Sequence, residues 1–133
     1  MTEFVDTFAL IAWLNHKDAD HEAVSAYLAK YTGRLVTTEW VLVEFADALS
    51  APQARSTAIA FLGQVRRDAQ FDVVDYDRDV AKRGFELYAA RPDKSWSLTD
   101  CISFVVMAER KLTKALTSDH HFEQAGFRAV FKR

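Results

Sequence analysis

Short apolar segments alternate along this chain with longer helical stretches, and that rhythm limits the possible folds more than any single motif does. The strand candidates are Glu3–Asp6, Leu35–Thr37, Phe71–Asp75, Ala115–Thr117 and Arg128–Lys132. Between them lie helix candidates at Thr7–Asn15, Asp18–Tyr31, Thr38–Ser50, Pro52–Ala69, Asp77–Ala90, Ser97–Leu112 and Asp119–Ala125. In the second of these, Ala23, Tyr27, Leu28 and Tyr31 share a face. Pro52 falls at a first-turn position that tolerates it, and Asp77 reads as a cap. Strands separated by helices argue for an α/β sandwich around a short-stranded, mostly parallel sheet. In such sheets functional sites form beyond the carboxyl ends of the strands.

The chain has 133 residues, which predicts one domain spanning 1–133 with an ordinary core. Half the residues are apolar, so disorder is not expected. The single cysteine, Cys101, rules out a disulfide framework and sits in the most apolar helix as a core residue. Met1–Asp6 lacks the basic start and apolar run of a signal peptide, and the longest apolar run, Phe8–Leu14, is too short to span a bilayer. A cytoplasmic protein with no membrane contact is expected. Residues 1–65 carry four basic and eight acidic side chains, whereas residues 66–133 carry 13 basic and 11 acidic. The basic side chains of the second half either hold phosphates beside an acidic pocket or form an ordinary mixed-charge surface.

Four carboxylates stand out. Asp6 and Asp119 each follow a short apolar strand and precede a helix, and each admits an N-cap role. The same geometry places a carboxylate at a strand end, where a metal can be held. Ser97 and Asp100 have capping-box spacing, yet Asp100 and Ser103 share a face of an otherwise apolar helix. Glu44 flanks the stripe of Val41, Phe45 and Ala48, where a carboxylate is costly unless paired or metal-bound. A salt bridge or a snorkelling side chain is the other account of Glu44. Singly, three of the four have a capping explanation. Together they occupy positions that a parallel sheet brings to one edge, as a cluster of hard oxygen ligands suited to Mg²⁺ or Mn²⁺.

Other constellations are missing. His16, His21, His120 and His121 have no zinc-type spacing with cysteine, and there is no Gly-rich phosphate loop or nucleophile elbow. His120 and His121 read either as phosphate contacts or as a solvated helix start. Trp13, Trp40 and Trp96 read as packing residues, with base stacking as the alternative.

The segments Phe4-Val5-Asp6-Thr7, Val41–Asp47 around Glu44, Ser97–Ser103 around Asp100, and Leu116–Phe122 around Asp119 closely resemble, in order and spacing, the PIN domain and more narrowly the VapC toxins of toxin–antitoxin pairs. The resemblance implies a Rossmann-like α/β/α fold and divalent-metal-dependent endonucleolytic cleavage of RNA. It assigns Asp6 and Asp100 as main metal ligands, Glu44 and Asp119 as the other two acids, and Thr7, Thr117 and Ser118 as supporting polar groups. It further implies an RNA substrate, a VapB-like antitoxin, and a homodimer or toxin–antitoxin hetero-oligomer. The first two helices, with Trp13, Tyr27 and Tyr31, offer apolar surface for such contacts unless it serves the core. Pro52–Lys94 carries no family signature. The competing readings are a PIN ribonuclease outside any toxin pair, a non-catalytic PIN module that binds RNA or protein, and an aspartate-based phosphotransferase or receiver domain. The last lacks the second acid it needs near Asp6, where Phe8 stands.

Overall fold

The computed structural model describes residues 1–133. The order of elements is β1 (Thr2–Val5), α1 (Thr7–Leu14), α2 (His21–Lys30), β2 (Arg34–Thr38), α3 (Glu39–Ala48), α4 (Pro52–Arg67), β3 (Phe71–Val74), α5 (Arg78–Ala90), α6 (Leu98–Glu109), β4 (Lys114–Leu116), α7 (His120–Gln124) and β5 (Arg128–Ala129). The five strands form one sheet in the order β3-β2-β1-β4-β5, and every pairing is parallel. The expected α/β/α sandwich is therefore present, and its sheet is wholly parallel.

Right-handed crossovers place α1 to α4 on one face and α5 to α7 on the other. Within the two groups α1 meets α2 and α3, α3 meets α4, α5 meets α6, and α6 meets α7; between them, α3 meets α6. On the first face Trp13 meets Phe61 edge-on and stacks with Phe71, while Phe45 also packs on Phe61. On the second, Phe122 lies between Phe4 and Phe104. Trp13 and Tyr31 thus belong to the packing of the core rather than to a free surface. The strand order reverses between β1 and β4, whose neighbours are reached in opposite directions. In an open parallel sheet this switch point opens a crevice at the carboxyl ends.

Differences from the expected boundaries have local causes. The second helix begins at His21, not Asp18, because the Asp18 carboxylate accepts the Asp20 N–H at 2.8 Å and folds the chain into a turn first. Its buried face runs through Val24 rather than Ala23, which is exposed. The apolar helix α6 ends at Glu109, where Lys111 adopts a φ of 59° and the Leu112 N–H reaches back to the Met107 carbonyl at 2.8 Å. Against α6, Gly84 allows close approach: a Cβ there would lie 2.5 Å from Ile102 Cγ1 and 3.1 Å from its Cα.

Candidate active site at the carboxyl edge of the sheet

Asp6 stands directly after β1, in extended conformation, at the N-cap position of α1. It makes no side-chain cap to that helix. Its Oδ2 instead accepts the Thr117 hydroxyl at 3.0 Å, across the switch point from the end of β4. Thr117 is fully buried, and its Oγ1 also accepts the Asp119 N–H at 3.1 Å. One hydroxyl therefore spaces two of the acids. Thr37, at the end of β2, donates to the Val5 carbonyl at 2.9 Å and pins the β1 terminus from the other side.

The remaining acids arrive from the helices. Glu44, half-buried on α3 between the buried Val41 and Phe45, accepts the Thr7 hydroxyl through Oε1. Thr7 is the neighbour of Asp6, so this bond brings α3 to the end of β1. Asp100 is the third residue of the α6 capping box: the Ser97 N–H donates to Asp100 Oδ2 at 3.1 Å, and the Asp100 N–H donates to Ser97 Oγ at 3.0 Å. Asp119 caps α7, its Oδ1 accepting the His121 N–H at 2.9 Å. The His121 ring closes the circuit, with Nδ1 3.2 Å from Asp100 Oδ2 and 3.3 Å from Asp119 Oδ1.

All four sequence-selected acids are thus joined through Thr7, Thr117 and His121. Thr7 donates to Glu44 and Thr117 to Asp6. No hydrogen bond ties the half-buried Ser118 side chain to the acids. His121 was not among the selected site residues. Its signal was the spacing Asp119-x-His121 directly after a strand, which reads equally as a solvated helix start. His120, 72% exposed, does fit that solvated reading.

Burial is the main influence on Asp6 and pushes its carboxyl up to about 7, with the charges of Asp100 and Glu44 acting in the same direction. The Thr117 hydroxyl and the Thr7 N–H oppose the rise without cancelling it. A buried carboxylate among carboxylates is a site that a cation stabilises, and the oxygen-rich donor set fits a hard divalent ion. Asp6, Glu44, Asp100 and Asp119 are the carboxylates this edge would offer to such an ion. Asp119, His120 and His121 have potential ligand atoms within 4.8 Å of one another.

Several basic residues of the second half are paired with acids other than these four. Arg66 pairs with Glu39, Arg83 with Asp79 and Glu109, Arg91 with Asp93, Arg110 with Asp72, and Arg133 with Asp20. Lys114 and Arg128 begin β4 and β5, at the opposite edge of the sheet. Cys101 is fully buried, and burial pushes its thiol up, in keeping with a core role. No helix is long and apolar enough to cross a membrane.

A family model described as PIN domain matches residues 4–128. A Mycobacterium tuberculosis protein named 23S rRNA-specific endonuclease VapC20 is 27% identical over 124 residues, which is 93% of this chain and 94% of that protein. The crystal structure of M. tuberculosis VapC20, described as a Sarcin-Ricin loop cleaving toxin, is similar with a TM-score of 0.88 at 25% identity, covering 98% of both chains. Two further crystal structures share the fold. FitAcB from Neisseria gonorrhoeae has a TM-score of 0.70 at 17% identity, over 98% of this chain and 96% of that one. VapBC2 from Rickettsia felis, bound to a promoter DNA fragment, has a TM-score of 0.70 at 13% identity, over 97% of each.

Proposed function

Since the chain belongs to the PIN domain family, matched over residues 4–128, we propose that it is a divalent-metal-dependent endoribonuclease whose site is formed by Asp6, Glu44, Asp100 and Asp119. The observation that carries this reading is the buried Asp6, tied by Thr117 to Asp119 and adjoined through Thr7 by Glu44, with its carboxyl pushed up to about 7. An acid raised chiefly by its burial, with neighbouring acids adding to the rise, is poorly suited to a purely structural role and well suited to holding a cation. When bound, Mg²⁺ or Mn²⁺ supplies an activated water and neutralises charge at the phosphodiester. The chain's own residues do the positioning. Thr117 holds the Asp6 carboxylate in place, Thr7 fixes Glu44, and the α6 capping box fixes Asp100.

The toxin role follows from the relatives. VapC20 is named as a 23S rRNA-specific endonuclease, and several proteins of the same fold were solved in VapBC-type complexes. We infer that this chain acts in the cytoplasm as the toxin of such a pair, with a VapB-like antitoxin as partner, as a homodimer or hetero-oligomer, and with ribosomal RNA as its substrate. The test is cleavage of intact ribosomes and of total RNA by the purified protein, in Mg²⁺ or Mn²⁺ and in EDTA. Metal-dependent cutting of 23S rRNA that Asp100→Asn loses while remaining folded is the expected result. Binding of RNA without metal-dependent cutting would make the chain a non-catalytic PIN module instead.

A further inference from the structure

We propose that His121 is a positioning residue that sets the separation and orientation of Asp100 and Asp119, and through them the affinity of the site for its cation; this rests on the metal-site reading above. The two acids come from separate elements, Asp100 from the first turn of α6 and Asp119 from the N-cap of α7. The His121 ring is the side chain that reaches both, with Nδ1 3.2 Å from Asp100 Oδ2 and 3.3 Å from Asp119 Oδ1. Carboxylate oxygens only accept hydrogen bonds, so Nδ1 is the nitrogen that carries the proton; it donates to Asp100 Oδ2 and lies beside Asp119 Oδ1 in charge contact.

The bonding leaves each acid one oxygen outside this network. Asp100 Oδ2 is engaged by the Ser97 N–H and the His121 ring, leaving Oδ1. Asp119 Oδ1 is engaged by the His121 N–H and the same ring, leaving Oδ2. The ring itself is held. Its side chain is 19% exposed, and the next residue, Phe122, is fully buried with its ring 6.4 Å from Phe4 and 5.0 Å from Phe104. The core therefore fixes the backbone that aims His121, and His121 fixes the acids. Groups that orient metal ligands in this way typically contribute roughly 10–100-fold to metal affinity.

The test is Mn²⁺ binding to the purified full chain, followed by the electron paramagnetic resonance signal of free Mn²⁺. Asparagine places its amide nitrogen where Nδ1 stands, one bond from Cγ, whereas glutamine and leucine do not. His121→Leu and His121→Gln are expected to weaken Mn²⁺ binding by roughly 10–100-fold, and His121→Asn to recover most of it. His16→Gln, an exposed histidine beyond the end of α1, serves as the control and should bind like wild type. If His121→Leu does not fold, the contrast between the Gln and Asn variants carries the test. Equal affinity of wild type and the Gln variant overturns the inference, and so does spin-echo detection of a ring-nitrogen coupling to Mn²⁺, which makes the imidazole a direct ligand. Failure of the wild-type protein to bind Mn²⁺ overturns the metal-site reading itself, and this inference with it.

Discussion

Replacing Asp6 by asparagine should make the metal-free protein more stable, by an amount that depends on pH in a way only Asp6 explains. In the folded protein this carboxyl is raised from 3.8 to about 7, chiefly by burial. The folded state therefore holds the proton more tightly than the unfolded chain, and ionising the group costs stability. The penalty begins as pH climbs past the unfolded value of 3.8 and grows until the pH passes the folded value of about 7. At 1.36 kcal/mol per pKa unit, the cost is about 2 kcal/mol at pH 5 and at most about 4 kcal/mol at pH 8. Asparagine is isosteric, never ionises, and keeps an oxygen to accept the Thr117 hydroxyl. Urea unfolding in EDTA at pH 5 and pH 8 should therefore show Asp6→Asn ahead of wild type, with a lead larger by up to about 3 kcal/mol at the higher pH. The difference between the two leads is the sounder quantity, because any change in hydrogen bonding cancels from it. Saturating Mn²⁺ should then reverse the ranking, since a ligand that binds only the folded state stabilises the protein that retains the site. An equal lead at both pH values, or a variant less stable than wild type at pH 8 in EDTA, would refute the argument.

Three further outcomes test the surroundings. Thr117→Val removes the hydroxyl that lowers the Asp6 pKa and also accepts the Asp119 N–H. Proton competition for Asp6 should then extend to higher pH, and Mn²⁺ affinity measured across pH 6–8 should fall most at the acid end. Tyr27→Phe takes the 2.5 Å hydroxyl bond from Glu3, a carboxylate only 2% exposed, and should cost on the order of 1–3 kcal/mol in urea unfolding, with RNA cleavage retained because Glu3 sits at the far end of β1 from the acids. Gly84→Ala places a methyl against Ile102 on the facing helix, at 2.5 Å from Cγ1 and 3.1 Å from Cα. Overpacking of that kind should destabilise by roughly 1–3 kcal/mol, visible as a lower thermal midpoint.

The fold was legible because each strand and each helix has its own periodicity, and because helical segments between strands force parallel pairing. The register was not. Nothing in Phe4-Val5 announces that it pairs with both Val36 and Ala115, since strands buried on two faces have no polar side to set them. Helix starts were misplaced where a side chain competed for the backbone, as at Asp18. The basic second half suggested phosphate contacts, but the chain order of charges carries no information about which partner each arginine finds. Arg110 finds Asp72, 38 residues away, and Arg66 finds Glu39, 27 residues away.

The acids show most clearly where reading by residue type stops. At Asp6, Asp100 and Asp119 capping and metal binding stand as competing accounts, and the capping differs at each. Asp6 occupies an N-cap position without capping, its carboxylate given over to Thr117 and the site. Asp100 and Asp119 do cap their helices, each through a single oxygen, and each keeps its other oxygen out of that bond. A carboxylate has two acceptors, so the two roles need not exclude each other. The cap then contributes to the site: it fixes the side chain's torsions before any ligand arrives, and so lowers the ordering cost that binding would otherwise carry. Glu44, with no helix end to hold it, depends on Thr7 for the same service. Asp100 and Asp119 therefore have a local donor that orients them, whereas Asp6 and Glu44 are oriented by Thr117 and Thr7; these two, with His121 at Asp100, are the groups that long-range packing had to supply.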